Sequence, residues 1–204
     1  MTAYTVKKLD KEEIGQIYRT YMGKDFPPDE LKPLSHITRS MDAGYGFSLG
    51  IYEEESLAGY AVFILCGEAR CALLDYFAIL EGKRGGGLGH QAFSLFVSYF
   101  EENLPEVDGL YIESERISAA ENEKQRLTRQ RRIAFYQSCG CGMTAFRSVL
   151  FGVDYSVLYK PIGERGQKAS MTALDTLYKT MFKREHYARF VSLAMMPESE
   201  QECG

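Results

Sequence analysis

The clearest pattern in the chain is an apolar run that ends at a glycine-rich turn and resumes at helical spacing. Residues 73–80 are apolar apart from Asp75, which is typical of a buried strand. The sequence Arg84-Gly-Gly-Gly-Leu-Gly89 follows, and apolar side chains then recur at positions 88, 92, 96, 99 and 100. This order predicts an anion site, because the first amides of a helix lack intrahelical acceptors and the helix dipole is positive there.

The same patterns predict the remaining elements. Seven strands are expected, at residues 3–9, 47–52, 57–66, 73–80, 109–113, 143–151 and 155–160. Helices are expected from Asp10 to Tyr21 and over residues 34–43, 88–103, 123–138 and 171–187, with residues 190–193 continuing the last one.

The residues around the glycines narrow the choice of anion. A phosphate-binding P-loop would need Lys-Ser/Thr after the last glycine, but His90 and Gln91 follow Gly89. The dinucleotide fingerprint fits poorly, because a charged turn separates the strand from the glycines and no acidic residue is well placed for a ribose. The spacing R-x-x-G-x-G, at Arg84, Gly87 and Gly89, does fit.

R-x-x-G-x-G resembles the pyrophosphate loop of the GCN5-related N-acetyltransferases of bacterial type, which bind acetyl-coenzyme A. Residues 73–79 are similar to the strand that enters this loop in the family. Residues 132–141 resemble the family segment R-x-x-F-Y-x-x-x-G-F, with Cys141 in place of the last aromatic residue.

The resemblance covers about residues 4–160 and implies a fold. The expected class is α/β (α+β), with a mixed, mostly antiparallel central sheet of about seven strands flanked by helices, as in acyl-CoA N-acyltransferases. Residues 1–160 would form the acetyltransferase domain. Residues 161–204 would form a C-terminal helical extension, packed on the core or on a partner subunit.

The resemblance also implies which residues bind the cosubstrate. Backbone groups of the strand would pair with the pantetheine arm, and backbone amides of the loop would hold the pyrophosphate. The residues implied are Phe77, Ala78, Ile79, Arg84, Gly85, Gly86, Gly87, Leu88, Gly89 and His90. Arg84 has an alternative interpretation as an ordinary turn residue.

Two residues are candidates for proton transfer. Tyr136 matches the family tyrosine that protonates the leaving thiolate, and its alternative interpretation is an ordinary amphipathic core tyrosine. Glu113 matches an acidic residue common at the end of this strand and would be the base, unless it is a solvated strand end. Asp75 is a competing carboxylate, and Asp25, Asp29 and Glu30 fall where the family varies its substrate wall.

Composition and charge limit the partners. A formal net charge of −4 argues against nucleic acid or an anionic membrane as the main partner, and it is compatible with a cationic amine substrate. No signal peptide, membrane span or metal site is expected, and a homodimer is possible. The five scattered cysteines, an odd number, suit reduced thiols in a cytoplasm.

The leading hypothesis is therefore an acyltransferase that moves acetyl from acetyl-CoA directly to a primary amine of a small molecule or peptide. One alternative is a catalytically inactive CoA-binding module for regulation or interaction. Another is an unrelated α/β nucleotide-binding enzyme, which the missing Lys-Ser/Thr pair and ribose-binding acid disfavour.

Overall fold

The computed structural model describes residues 4–28, 30–164, 166 and 168–197. Asp29, named above, and Cys203, one of the five cysteines, lie outside these ranges. The chain divides into two compact units. The first comprises Met1–Leu65 and Leu74–Leu104, and the second comprises Cys66–Leu73 and Pro105–Gly204. Each unit is described by itself.

The first unit begins with a strand and a set of helical turns. Strand β1 spans Tyr4–Leu9, and helix α1 spans Lys11–Ile17. The side chain of Asp10 accepts hydrogen bonds from the backbone amides of Glu12 and Glu13, which is the capping box that starts α1. The predicted helix to Tyr21 continues past α1 as a π-helical turn, Tyr18–Met22, and a short helix α2, Gly23–Asp25.

The rest of the first unit supplies the strand and helix around the glycines. Its elements are α3, Leu34–Asp42; β2, Gly46–Glu53; β3, Ser56–Cys66; β4, Cys71–Ile79; a 3₁₀ turn, Glu81–Lys83; and α4, Leu88–Asn103. The last residue of β3 and the first three of β4 are counted in the second unit. The strand order here is β1-β2-β3-β4, and β1 pairs with β2, and β2 with β3, antiparallel.

Strand β4 is covered on both faces within this unit, which explains its nearly continuous apolar sequence. Tyr76 and Ala78 belong to a buried cluster with residues of α1 and α3, including Ile14 and Ile37. Phe77 points to the opposite face, where its ring lies 5.4 Å from that of Phe96 on α4. The end of β4 and the start of α4 are therefore held by packing on either side of the glycine turn.

The second unit contains the remaining strands and helices. They are β5, Gly109–Glu115; a 3₁₀ turn, Ile117–Ala119; α5, Glu123–Ser138; β6, Gly142–Leu150; β7, Val153–Pro161; α6, Met171–Met181; α7, Arg184–Phe190; and β8, Val191–Met195. The strand order is β5-β7-β6-β8, and all three pairings are antiparallel.

The prediction of one helix over residues 171–187, continuing through 190–193, is wrong. Helix α6 ends at Met181, and the C-cap residue Phe182 has an extended backbone and a ring centroid 5.5 Å from that of Phe151. After α7, residues Val191–Met195 pair with β6 as an edge strand. Apolar residues at 191, 193 and 195 have the period of a strand, and the open edge of β6 supplies their hydrogen-bond partners.

The predicted fold class is confirmed. The fold is mixed α/β, with a mostly antiparallel sheet of eight strands flanked by helices. The eighth strand is β8, which the sequence did not predict. Among the described helices, none combines the length and the apolar character needed to cross a membrane.

Candidate functional site

The turn between β4 and α4 combines positive-φ glycines with the N-terminus of a helix. Gly85 and Gly87 have φ values of +93° and +78°, a region that L-residues rarely adopt. Gly87 is the N-cap of α4, with no side-chain hydrogen bond at the cap. A Cβ atom added at Gly85, Gly86 or Gly87 would meet nothing within 4 Å, so the loop backbone borders open space.

Arg84, at the start of this loop, is held by the protein itself. Its Nε donates a hydrogen bond of 2.8 Å to the carbonyl oxygen of Ile79, and its Nη2 donates one of 2.6 Å to Oδ1 of Asp25. The Arg84 side chain is 52% exposed, whereas the Asp25 side chain is only 9% exposed. Asp25 thus lies beside the glycine turn instead of being a free loop charge.

The carboxylate of Asp75 and the backbone of Glu30, two other candidates, are engaged near β4. Asp75 Oδ1 accepts a 2.6 Å hydrogen bond from Lys32 Nζ. The Tyr76 hydroxyl donates to the carbonyl oxygen of Glu30 and accepts from the backbone amide of Lys32, both at 2.8 Å. Asp75 and Tyr76 therefore hold the chain around residues 30–32 against β4.

Glu113, the predicted base, lies on β5 in the second unit and is partly buried. Its Oε1 accepts a hydrogen bond of 2.8 Å from the hydroxyl of Ser148 on β6 and one of 2.5 Å from the hydroxyl of Tyr178 on α6. Ser148 and Tyr178 are both fully buried. Burial, and then the nearby Glu113 carboxylate, raise the pKa of Tyr178 well above its ordinary value, so its hydroxyl remains a donor.

Tyr136, the predicted acid, lies on α5 in the second unit and is 8% exposed. Its ring packs edge-on against that of Phe135, with 5.1 Å between the centroids. Burial raises the pKa of Tyr136 above its ordinary value, and Arg132 partly offsets this. The phenol therefore carries its proton at neutral pH, which a proton donor requires and which a core tyrosine would also show.

The structure also identifies residues that the sequence did not single out. Tyr178 falls within the predicted last helix, where a tyrosine is unremarkable in sequence, and Ser148 falls within a predicted strand. Tyr60, on β3, donates a 2.8 Å hydrogen bond to Oδ2 of Asp25. Each is a hydroxyl whose partner is distant in sequence, so no local pattern could have found it.

Comparison with known proteins identifies the fold. No family model and no curated protein sequence matches the chain. Solved structures do match. A spermidine N-acetyltransferase from Vibrio cholerae, in complex with CoA and spermine, has a TM-score of 0.59 at 11% identity, over 79% of this chain and 97% of that one.

Two further solved structures show the same architecture. The ribosomal-protein-S18-alanine N-acetyltransferase from Escherichia coli has a TM-score of 0.56 at 17% identity, over 82% of this chain and 99% of that one. An IAA acetyltransferase from Bacillus cereus has a TM-score of 0.53 at 15% identity, over 78% of this chain and 100% of that one. This is the fold of the GCN5-related N-acetyltransferases.

In this acetyltransferase fold, the first unit carries the predicted cosubstrate-binding residues 77–79 and 84–90, and the second carries Glu113 and Tyr136. Leu88 is buried, whereas Arg84, the three glycines that follow it and His90 are exposed. Within the described ranges, no group of three or more His, Cys, Asp or Glu side chains could hold a metal ion.

We expect Tyr178→Phe to lower the free energy of unfolding by about 1–3 kcal/mol, because the Glu113 carboxylate loses one of its hydroxyl donors. Urea unfolding of the purified protein measures this. Tyr187→Phe is the matched control, since Tyr187 also donates to a carboxylate, Asp175, but is partly exposed. An equal loss in both variants would contradict a special role for the Tyr178 hydrogen bond.

Proposed function

We propose that this protein is an acetyl-CoA-dependent N-acetyltransferase that acts on a primary amine. The observation that carries the proposal is the loop after β4, where positive-φ glycines at the N-terminus of α4 border open space. Such a backbone favours the pyrophosphate of coenzyme A, because the first helical amides and the helix dipole both attract an anion. The shared fold supports acetyl as the transferred group.

In the proposed reaction, the neutral amine nitrogen attacks the thioester carbonyl carbon, and the carbon–sulfur bond then breaks. Glu113 takes the proton that the amine must lose, directly or through water. Tyr136 gives its phenolic proton to the departing thiolate, which leaves as the thiol of coenzyme A. The products are an amide and free coenzyme A, and no metal takes part.

The backbone of β4 has a proposed part as well. Backbone groups of Phe77, Ala78 and Ile79 would pair with the pantetheine arm as if it were an added strand. Their side chains are engaged in packing: Phe77 against Phe96, and Ala78 in the buried cluster below α1. The strand therefore offers its main chain, not its side chains, to the cosubstrate.

A second candidate function is coenzyme A binding without acetyl transfer. The observation in its favour is the engagement of Glu113, whose Oε1 accepts hydrogen bonds from two buried hydroxyls. A carboxylate that served only to anchor α6 would have the same partners. The two functions differ in turnover and share the binding step.

Binding to the loop is tested by calorimetry with acetyl-CoA. We expect saturable binding to the wild type and weaker binding to Gly86→Ala and Gly87→Ala, because a methyl group at either position enters the space proposed for the pyrophosphate. Of these two variants, only Gly87→Ala should also lower the free energy of unfolding, by about 1–2 kcal/mol, since Gly87 has positive φ and Gly86 does not.

The two glycine variants are therefore matched controls for each other. If Gly86→Ala binds acetyl-CoA with the affinity of the wild type, the glycine loop does not contact the pyrophosphate as proposed. No saturable binding to the wild type would contradict the proposed function and its binding-only alternative together.

The proton-transfer roles are tested by thiol release from acetyl-CoA with a panel of amines that includes spermidine and a peptide with an N-terminal alanine. We expect Glu113→Gln and Tyr136→Phe each to lower kcat by about 10²-fold or more, with little change in acetyl-CoA affinity. The glutamine side chain keeps an oxygen that can accept from Ser148 and Tyr178, so we expect the Glu113→Gln variant to keep its fold.

The panel result separates the two candidate functions. Acetyl-CoA binding with no amine acetylated above background would support the binding-only module. Undiminished turnover in Tyr136→Phe would remove only the assignment of the acid, and the same result in Glu113→Gln would remove only that of the base.

We also propose a cytoplasmic location and a homodimer. Burial raises the pKa of Cys71 and Cys141 to about 12, which keeps these thiols protonated and inert and suits a reducing compartment.

The proposal of a dimer rests on strand β8. This strand carries no charge and ends the strand order of its unit, and uncharged edge strands favour pairing with another chain. Light scattering should give twice the 23.1 kDa chain mass, and a monomer would contradict the dimer.

A further inference from the structure

The glycine loop lacks side-chain support of its own. Gly85, Gly86 and Gly87 are exposed and border open space, and two of them have backbone conformations outside the usual region. Glycine also has more conformational freedom to lose than any other residue, so an unsupported run of three would be costly to order around a ligand. The neighbouring residue Arg84 is therefore important for holding the loop.

Arg84 links three parts of the first unit. Its backbone enters the glycine run, its Nε donates to the carbonyl of Ile79 at the end of β4, and its Nη2 donates to Asp25. These two side-chain hydrogen bonds use the fork of the guanidinium, which a lysine could not reproduce. The start of the loop is thereby tied both to the strand before it and to α2.

Asp25 is held on its other side by a buried tyrosine. Its Oδ1 accepts from Arg84 and its Oδ2 accepts from the Tyr60 hydroxyl, at 2.6 and 2.8 Å. Tyr60 is fully buried on β3, and burial, followed by the hydrogen bond to Asp25, raises its pKa, so the phenol donates throughout the neutral range. The Asp25 carboxylate is thus hydrogen-bonded on one side by buried Tyr60 and on the other by Arg84.

The backbone around Asp25 is anchored as well. The amide of Phe26 donates a 3.0 Å hydrogen bond to the carbonyl of Met22, whose side chain is fully buried. The Phe26 ring packs edge-on against Tyr76 of β4, with 4.9 Å between centroids. The backbone at Asp25 is therefore held in place, so its carboxylate can fix the position of the Arg84 side chain.

We propose that Asp25 and Tyr60 are positioning residues for coenzyme A binding, because they hold Arg84 as a brace that keeps the glycine loop in its binding conformation. The inference rests on the proposed binding of coenzyme A to this loop. Its physical basis is preorganisation, since a loop that is already ordered loses less conformational entropy when the ligand binds.

The competing role for Arg84 is that of a phosphate ligand, which its half-exposed side chain would allow. The two roles predict opposite effects of Asp25→Asn. If Asp25 holds a brace, removing its charge loosens Arg84 and weakens binding. If Arg84 is a phosphate ligand, the same change frees the guanidinium charge for the ligand and strengthens binding.

Calorimetry with free coenzyme A as the probe tests this without knowledge of the amine. We expect the dissociation constant to rise about tenfold in Asp25→Asn and severalfold in Tyr60→Phe. We also expect Arg84→Lys to bind as weakly as Arg84→Ala, because the brace needs the guanidinium fork. Restoration of affinity by Arg84→Lys, or tighter binding in Asp25→Asn, would overturn the proposal in favour of a simple charge contact.

Glu53→Gln is the matched control. Lys83, the residue before Arg84, forms an ion pair with Glu53, so this variant removes a charge pair from the same turn and leaves the brace intact. Partly exposed pairs of this kind contribute little, and we expect affinity within about twofold of the wild type. A loss equal to that in Asp25→Asn would show a general sensitivity of the turn and would contradict the specific role of Asp25.

The failures of the two proposals are distinguishable. A wild type that does not bind coenzyme A defeats the proposed function, and the inference with it. A wild type that binds, with Asp25→Asn binding equally well or more tightly, defeats only the inference. If Asp25→Asn melts at a temperature that precludes the measurement, the comparison of Arg84→Lys with Arg84→Ala decides alone, because both change a half-exposed side chain.

Discussion

The backbone amides in the first turn of α4 are the groups on which the rest of the candidate site depends. The amide of His90 donates to the carbonyl oxygen of Gly87 at 3.1 Å, so the amides before it are the ones that a ligand in front of Gly85–Gly87 would meet. Their position follows from packing: β4 is buried on both faces within its unit, and Phe96 of α4 contacts Phe77 of β4. The anion site that we propose here would thus be formed by the main chain, supported by apolar side chains.

Carboxylates in both units share one physical constraint. A carboxylate oxygen that is buried away from water is stable only if it accepts hydrogen bonds, and Asp25, Asp75 and Glu113 all do so. Asp25 accepts from Arg84 and Tyr60, Asp75 from Lys32, and Glu113 from Ser148 and Tyr178. Asp25 and Asp75 each accept from a cation, and Glu113 accepts from two hydroxyl groups.

The C-terminal segment is a structural part of the second unit. Leu174, Leu177 and Tyr178 of α6 are fully buried, and β8 extends the antiparallel pairing of β6. Through the Tyr178 hydroxyl, the segment also reaches the carboxylate proposed as the base. The extension and the proposed chemistry are therefore linked by one hydrogen bond, which gives a physical reason for the segment to matter to activity.

The sequence by itself determined β4, the glycine loop, α4 and the fold class, because apolar period, glycine conformation and element order are local properties of the chain. It did not determine β8, because that strand forms only where the edge of β6 provides partners. Nor did it determine the partners of Arg84 or Glu113: Asp25 is 59 residues from Arg84, and Tyr178 is 65 residues from Glu113. Such hydrogen bonds depend on which side chains the folded chain brings together, and only the tertiary structure decides that.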